Sequence, residues 1–181
     1  MKRLVPFFLL LSVGFAPTKL VKTKITNDIT VSLPTTLMPM TEEDIVQRYP
    51  SVRAPLGAFT NKNRDSDFSV NISATQWPDS DIELAAKFFK SGIQNLYDRV
   101  DMINGGIQII NKKQFIFYEF ESRVNGNKLM EGERQPIFRY SYVQYYIGKD
   151  RTLVFAFNCA KDHRAEWQET VRAMMKSVKV K

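Results

Sequence analysis

Cys159 and His163 stand four residues apart and are the chain's one cysteine and one histidine. A thiolate activated by an imidazole is an acyl-transfer nucleophile, and a cysteine at a helix N-terminus also has a lowered pKa. Against that chemistry, Cys159 closes the aromatic run Phe155-Ala156-Phe157-Asn158. Free cysteine in such a run is a small buried hydrophobe. No glycine cluster accompanies it to supply oxyanion donors. The expectation is a core cysteine. A lone cysteine also excludes an internal disulfide, a cysteine-based zinc site and an iron–sulfur cluster.

Glu119 and Glu121 share one face of a strand, about 7 Å apart. Paired carboxylates can do acid–base work. Phe115 and Phe117 share that face, however, and an ion pair with Arg139 is the plainer expectation. Asn61, Asn63, Asp65 and Asp67 alternate like the opening ligands of a calcium loop. Such a loop needs glycine at its sixth position and glutamate at its twelfth; here they are Ser66 and Ile72. A polar hairpin tip is the expectation. The aromatics Tyr140, Tyr142, Tyr145 and Tyr146 raise a base-stacking question. They fall on both faces of one strand, so core packing accounts for them and nucleic acid is not an expected partner. No cofactor motif is present. Lys19, Lys22 and Lys24 form a small basic cluster that could touch an anionic membrane surface or simply guard a strand edge. Asn71-Ile72-Ser73 matches a glycosylation sequon within a strand. Tyr49, Arg53 and Trp77 are candidate surface-binding residues, although Trp77 could equally staple the first turn of the helix that follows it.

These residues need elements to hold them. Lys19 to Leu33 alternates and breaks at Asn27-Asp28, which reads as a hairpin. Thr41 caps a short helix that Pro50 stops. Ala58 begins a strand, and Phe68, Val70, Ile72 and Ala74 mark one face of the next. Ser80 and Glu83 have capping-box spacing, and an amphipathic stripe predicts a helix from about Asp81 to Val100. Asn104-Gly105-Gly106 reads as a turn. Four strands follow, Gly106–Asn111, Gln114–Ser122, Ile137–Ile147 and Thr152–Cys159, several of them apolar on both faces. Asp162 caps a last helix striped by Trp167, Val171, Met174, Met175 and Val178, and Val178 to Lys181 fray or leave as a short extended tail. Short connections require antiparallel pairing. The expected fold class is α+β: an α/β/α-type sandwich around a central antiparallel sheet, with two long helices on one face.

Lys2 and Arg3, the apolar run Leu4 to Phe15, and small residues at Gly14 and Ala16 have the layout of a secretory signal peptide, with cleavage after Ala16. The run is short for a membrane span, which needs about 20 apolar residues. The expected organisation is a signal peptide at 1–16 and one domain at 17–181, with no transmembrane segment after signal removal. Losing the first 16 of 181 residues, Lys2 and Arg3 among them, leaves 165 residues and a charge of +5 in place of +7. The basic surplus is then ordinary.

Val31-Ser32-Leu33-Pro34, Tyr49-Pro50 with Ala58-Phe59, Asn71 and Trp77 before the long helix, the paired aromatics from Tyr140 to Tyr146, and Leu153 to Phe157 before a helix carrying Trp167 together form a pattern. It resembles the PsbP-like superfamily over roughly residues 29–178. That group holds the photosystem protein PsbP, a eukaryotic Ran-binding import factor and bacterial exported proteins of the DcrB kind. The resemblance implies a non-enzymatic binding or assembly protein and transfers no functional residue. With the export signal, it points to a periplasmic or extracellular protein whose partner is another envelope protein. A small-ligand or lipid carrier with a pocket between sheet and helices is the alternative. A hydrolase-type enzyme stands third, because nucleophile, base and oxyanion donors do not converge.

Overall fold

The computed structural model describes residues 18–50, 53–125 and 135–181. The expected signal peptide and its cleavage after Ala16 lie outside the described residues, as do Gly126 and Asn127 of Asn125-Gly126-Asn127, whose residue types read as a turn. In chain order the elements are β1 (Leu20–Lys24), β2 (Ile29–Pro34), β3 (Met38–Pro39), α1 (Glu42–Arg48), β4 (Gly57–Thr60), β5 (Ser66–Ile72), α2 (Ile82–Leu96), β6 (Arg99–Ile110), β7 (Lys113–Val124), β8 (Ile137–Ile147), β9 (Thr152–Ala160), α3 (Arg164–Lys176) and β10 (Lys179–Val180). Seven strands form an antiparallel sheet in the order β3-β4-β5-β9-β8-β7-β6, and a second sheet runs β1-β2-β10.

The central strands are apolar on both sides, so the sheet needs cover on both. Phe115 of β7, Tyr140 and Tyr142 of β8 and Phe155 and Phe157 of β9 point to one face. There they pack with Trp167, Val171, Met174 and Met175 of α3 and with Ile29, Val31 and Leu33 of β2. Ile116, Tyr118 and Phe120 of β7 and Ile147 of β8 point to the other face and pack with Ala85, Ala86, Phe89 and Ile93 of α2. Phe89 stacks on Tyr145 at 4.0 Å, while Trp167 meets Phe157 at 5.0 Å. The sandwich is α/β/α, but the two long helices lie on opposite faces rather than on one. The two-sided apolar strands are the reason, because each helix stripe buries one set. Each large side chain so buried stabilises the fold by about 1.5–3 kcal/mol.

Three local expectations also shift. The helix expected to reach Val100 ends at Leu96, because Tyr97 turns extended and Asp98 N–H donates to the Arg123 carbonyl at 3.1 Å, starting the β6–β7 ladder. Ser80 and Asp162 each fall inside a short 3-10 turn and make no capping bond to the helix that follows. Asn104-Gly105-Gly106 is not a turn; it lies within β6, beside a register shift between Met102 and Asn104. A Cβ on Gly105 would sit 2.6 Å from the Tyr118 ring, so only glycine lets that ring pass beneath the strand. Of the two endings expected for Val178 to Lys181, fraying or a short extended tail, the extended one forms, and it is paired. Val178 is fully buried, the Ser32 N–H donates to Ser177 Oγ at 2.8 Å, and β10 pairs with β2.

Candidate functional site

The α1 helix begins as expected: Thr41 Oγ1 accepts from the Asp44 N–H at 3.2 Å. Three acidic residues in its first turn and Arg48 in its last complement the helix dipole. Arg48 reaches across to Asp67 of β5, with Nη1 donating to Oδ1 at 2.6 Å, and its Nη2 donates to the Arg64 carbonyl at 2.9 Å. Tyr49 ends the helix, its N–H donating to the Ile45 carbonyl at 2.9 Å. Beyond it opens a cleft of about 550 Å³ over the ends of β5, β9 and β8. Tyr49, Asp65, Asp67, Phe138, Arg139 and Asn158 are among its lining residues.

Charge in this cleft is nearly compensated. Asp67 holds Arg48, the buried Asp44 holds Arg64 at 3.3 Å, and Asp65 faces His163 at 3.6 Å. Burial alone would raise the Asp65 carboxyl, but hydrogen bonds from Asn61 and Ser66 and the nearby His163 bring it below the ordinary carboxylate value. Arg139 is different: among the described residues it makes no ion pair. Burial raises the Tyr49 phenol; a hydrogen bond with Ser69 and the charges of Arg48 and Arg139 oppose that rise only in part. The result is one uncompensated guanidinium beside a neutral phenol. Such a pair suits a carboxylate or phosphate oxygen. Ile137 and Phe138 stand about half exposed at the rim and offer an apolar anchor.

The structure separates the three residues singled out from sequence. Tyr49 lines the cleft. Arg53 is exposed and is not one of the lining residues. Trp77 packs on Phe88 at 5.2 Å and Phe89 at 6.4 Å, as a staple over α2. Phe89 in turn stacks on Tyr145, six positions along β8 from Arg139, or roughly 20 Å. Arg139 itself was expected only as a partner for Glu119 and Glu121. Alternation along β8 puts it on the opposite face from both. Its real signal lay in that same alternation, which gathers Asp67, Asn158, Ser141 and Arg139 on one side of neighbouring strands.

The other chemistry candidates are structural. Glu119 is 1% exposed and accepts from Tyr140 Oη at 3.0 Å, Gln168 Nε2 at 2.5 Å and Arg172 Nε at 3.1 Å. Glu121 accepts from Lys161 Nζ at 2.6 Å and Arg164 Nη1 at 2.7 Å. Both carboxylates therefore fasten α3 and the turn before it to the sheet. Cys159 points into the core, and burial pushes its thiol up to about 12. Its would-be base, His163, faces Asp65 instead. Asn61 Nδ2 donates to Asp65 Oδ1 at 2.6 Å and Asn61 Oδ1 accepts from Asp65 N–H, forming the β4–β5 hairpin tip expected from sequence.

No family model matches the sequence, and no curated protein matches it. Solved structures do. The solution structure of cyanobacterial PsbP (CyanoP) from Synechocystis aligns with a TM-score of 0.59 and 14% identity, covering 93% of this chain and 95% of that one. The fold is PsbP-like. A second match is the crystal structure of the Saccharomyces cerevisiae Ran-binding protein Mog1p, with a TM-score of 0.56, 12% identity, and coverage of 90% of this chain and 96% of that one. At these identities the likeness concerns the fold alone. No helix among the described residues is long and apolar enough to cross a membrane.

Proposed function

We propose that this chain is an exported, non-enzymatic binding or assembly protein of the cell envelope, made as a signal peptide at residues 1–16 and one domain at 17–181. The observation that carries the reading is the cleft where Arg139, unpaired among the described residues, lies beside Tyr49 with Ile137 and Phe138 exposed at the rim. A charge without a counter-ion next to an exposed aromatic is the composition of an interface centre awaiting its partner. The burial of Cys159 and the cation-clamped state of Glu119 and Glu121 support a binding role over a catalytic one. One of the neighbouring structures, Mog1p, is by name a Ran-binding protein, which agrees with a binding role.

The test is quantitative capture from envelope extract with the mature domain as bait. Arg139→Glu and Tyr49→Ala should each reduce recovery of the same partner by about tenfold, the loss expected for an interface hot spot. Trp77→Phe should leave recovery unchanged. Equal recovery with all three baits would contradict the assignment of the cleft. Mass spectrometry of the mature N-terminus checks export separately: Pro17 as first residue supports it, and an intact Met1 opposes it.

A further inference from the structure

The edges of the two sheets are guarded unequally. A strand edge exposes unpaired N–H and C=O groups, and proteins blunt it with lysines, proline or very short strands. β1 carries Lys22 and Lys24, β3 is two residues long and ends in Pro39, and β10 is two residues long. β6 has twelve residues and ends the seven-stranded sheet with no strand paired on its outer side among the described residues. From Ile103 to Ile110 it carries no charge. Asn104 Oδ1 accepts from the Gly105 N–H at 2.8 Å, so that N–H points away from β7. By strand alternation the N–H groups of Ile107 and Ile109 lie on the same outer side. Ile109 is 74% exposed.

A pocket of about 300 Å³ opens beside this edge, between β6 and α2. Its floor is Ala86, Met102 and the Tyr118 ring, which the missing Cβ of Gly105 admits. Lys87 and Lys90 of α2 stand at its rim, against one acid, Glu83. An apolar floor with a cationic rim fits a side chain with a methylene stem and an anionic head.

We propose that the outer edge of β6 is a strand-addition site for an extended acidic segment of a partner protein. The added strand bonds the outward N–H and C=O groups of β6, displacing the Asn104 side chain from the Gly105 N–H. It places a glutamate opposite Gly105 between Lys87 and Lys90, and apolar residues two and four positions on, against Ile107 and Ile109. Two copies of this chain joined about Gly105 would oppose Lys87 and Lys90 with their own likes, so charge disfavours self-pairing. This site lies apart from the Arg139 cleft and does not depend on it.

The probe is a fluorescein-labelled peptide, Thr-Glu-Thr-Val-Thr-Val, read by fluorescence anisotropy on the mature domain. Binding is expected, weakened about tenfold when the probe's glutamate is replaced by lysine. Lys87→Glu with Lys90→Glu, both surface changes, should reverse that preference. N-methylation of alternate probe amides, or Ile109→Pro with its circular dichroism unchanged, should remove binding. Arg139→Glu should leave it intact, which separates this site from the cleft. Absence of binding up to about 1 mM, equal binding of the methylated probe, or a charge preference unmoved by the lysine reversals would overturn the proposal. So would a dimer in sedimentation that Ile109→Pro dissolves, since the edge would then belong to a second copy.

Discussion

Glu119 offers the sharpest check on the claim that the paired carboxylates are fasteners rather than catalysts. In Glu119→Ala, the Tyr140 hydroxyl, on a residue 0% exposed, loses its acceptor. An unsatisfied buried hydroxyl costs about 1–3 kcal/mol. Gln168 and Arg172 lose theirs as well. The Arg172 side chain is 34% exposed and also holds Glu169, so it turns partly to water. Its loss belongs at the lower end of the 1.5–3 kcal/mol typical of charged hydrogen bonds, or about 1.5 kcal/mol. The total is about 4 kcal/mol, inside the range for breaking one side of a buried ion pair. For a domain of this size that lowers Tm by about 10 °C. Tyr140→Phe removes one hydroxyl bond and costs about 1 kcal/mol. In the double variant Tyr140→Phe restores about 1 kcal/mol of what Glu119→Ala loses, because it removes the hydroxyl that was left without an acceptor. Urea unfolding of residues 17–181, followed by far-ultraviolet circular dichroism, measures all three. A Glu119→Ala protein within about 1 kcal/mol of the parent refutes the fastener reading, since that is the ordinary effect of an uncoupled substitution.

Glu121 gives a pH signature. Burial alone would raise its carboxyl, but hydrogen bonds and charge from Lys161 and Arg164 outweigh burial and hold it below the ordinary carboxylate value. Its folded pKa is depressed, so its contribution is present above the unfolded value near pH 4.3 and is lost as pH falls through the lower folded value. Stability curves of parent and Glu121→Gln should therefore stand apart at neutral pH and converge below about pH 4; curves that stay parallel to acid contradict this. Cys159 should resist iodoacetamide in native protein at pH 8 and react fully in urea, because its thiol is buried and raised; fast native labelling would refute the core assignment. Gly105→Ala should destabilise by about 1–3 kcal/mol through the Tyr118 clash, measured by thermal melting; an unchanged melt would show that the ring has room to move.

Much of the scaffold was legible in the residues. Period-two alternation in β5, the Asn27-Asp28 break, the Thr41 cap and the antiparallel order all follow from local patterns that tertiary packing does not override. The two-sided apolar strands also said that both faces are covered. Which helix covers which face was not local information. It depends on how Tyr97 and Asp98 turn the chain into β6, a three-dimensional event. Gly105-Gly106 misled for a related reason: glycine marks both turns and close approaches, and only the Tyr118 ring beneath the strand decides between them. An extended C-terminal tail is one of the two readings the residues allow, but its pairing with β2 was hidden because two residues carry no periodicity; the burial of Val178 and the Ser177 bond to Ser32 hold it.

The candidate cleft was half legible. Tyr49 was singled out beside Pro50, but Arg139 was assigned to the wrong carboxylates. Its side of the strand was readable by counting from Tyr140, which is buried in the opposite face. Its lack of a counter-ion among the described residues was not, because that depends on Arg48, Arg64 and His163 taking the nearby acids.

The measurement that bears most directly on a binding role is photocrosslinking in intact cells, with a photoreactive amino acid placed at Phe138 on the cleft rim. The account predicts one dominant crosslinked envelope protein, lost when Arg139→Glu is added and retained when the probe protein carries Trp77→Phe. A crosslink pattern that Arg139→Glu leaves unchanged would contradict it.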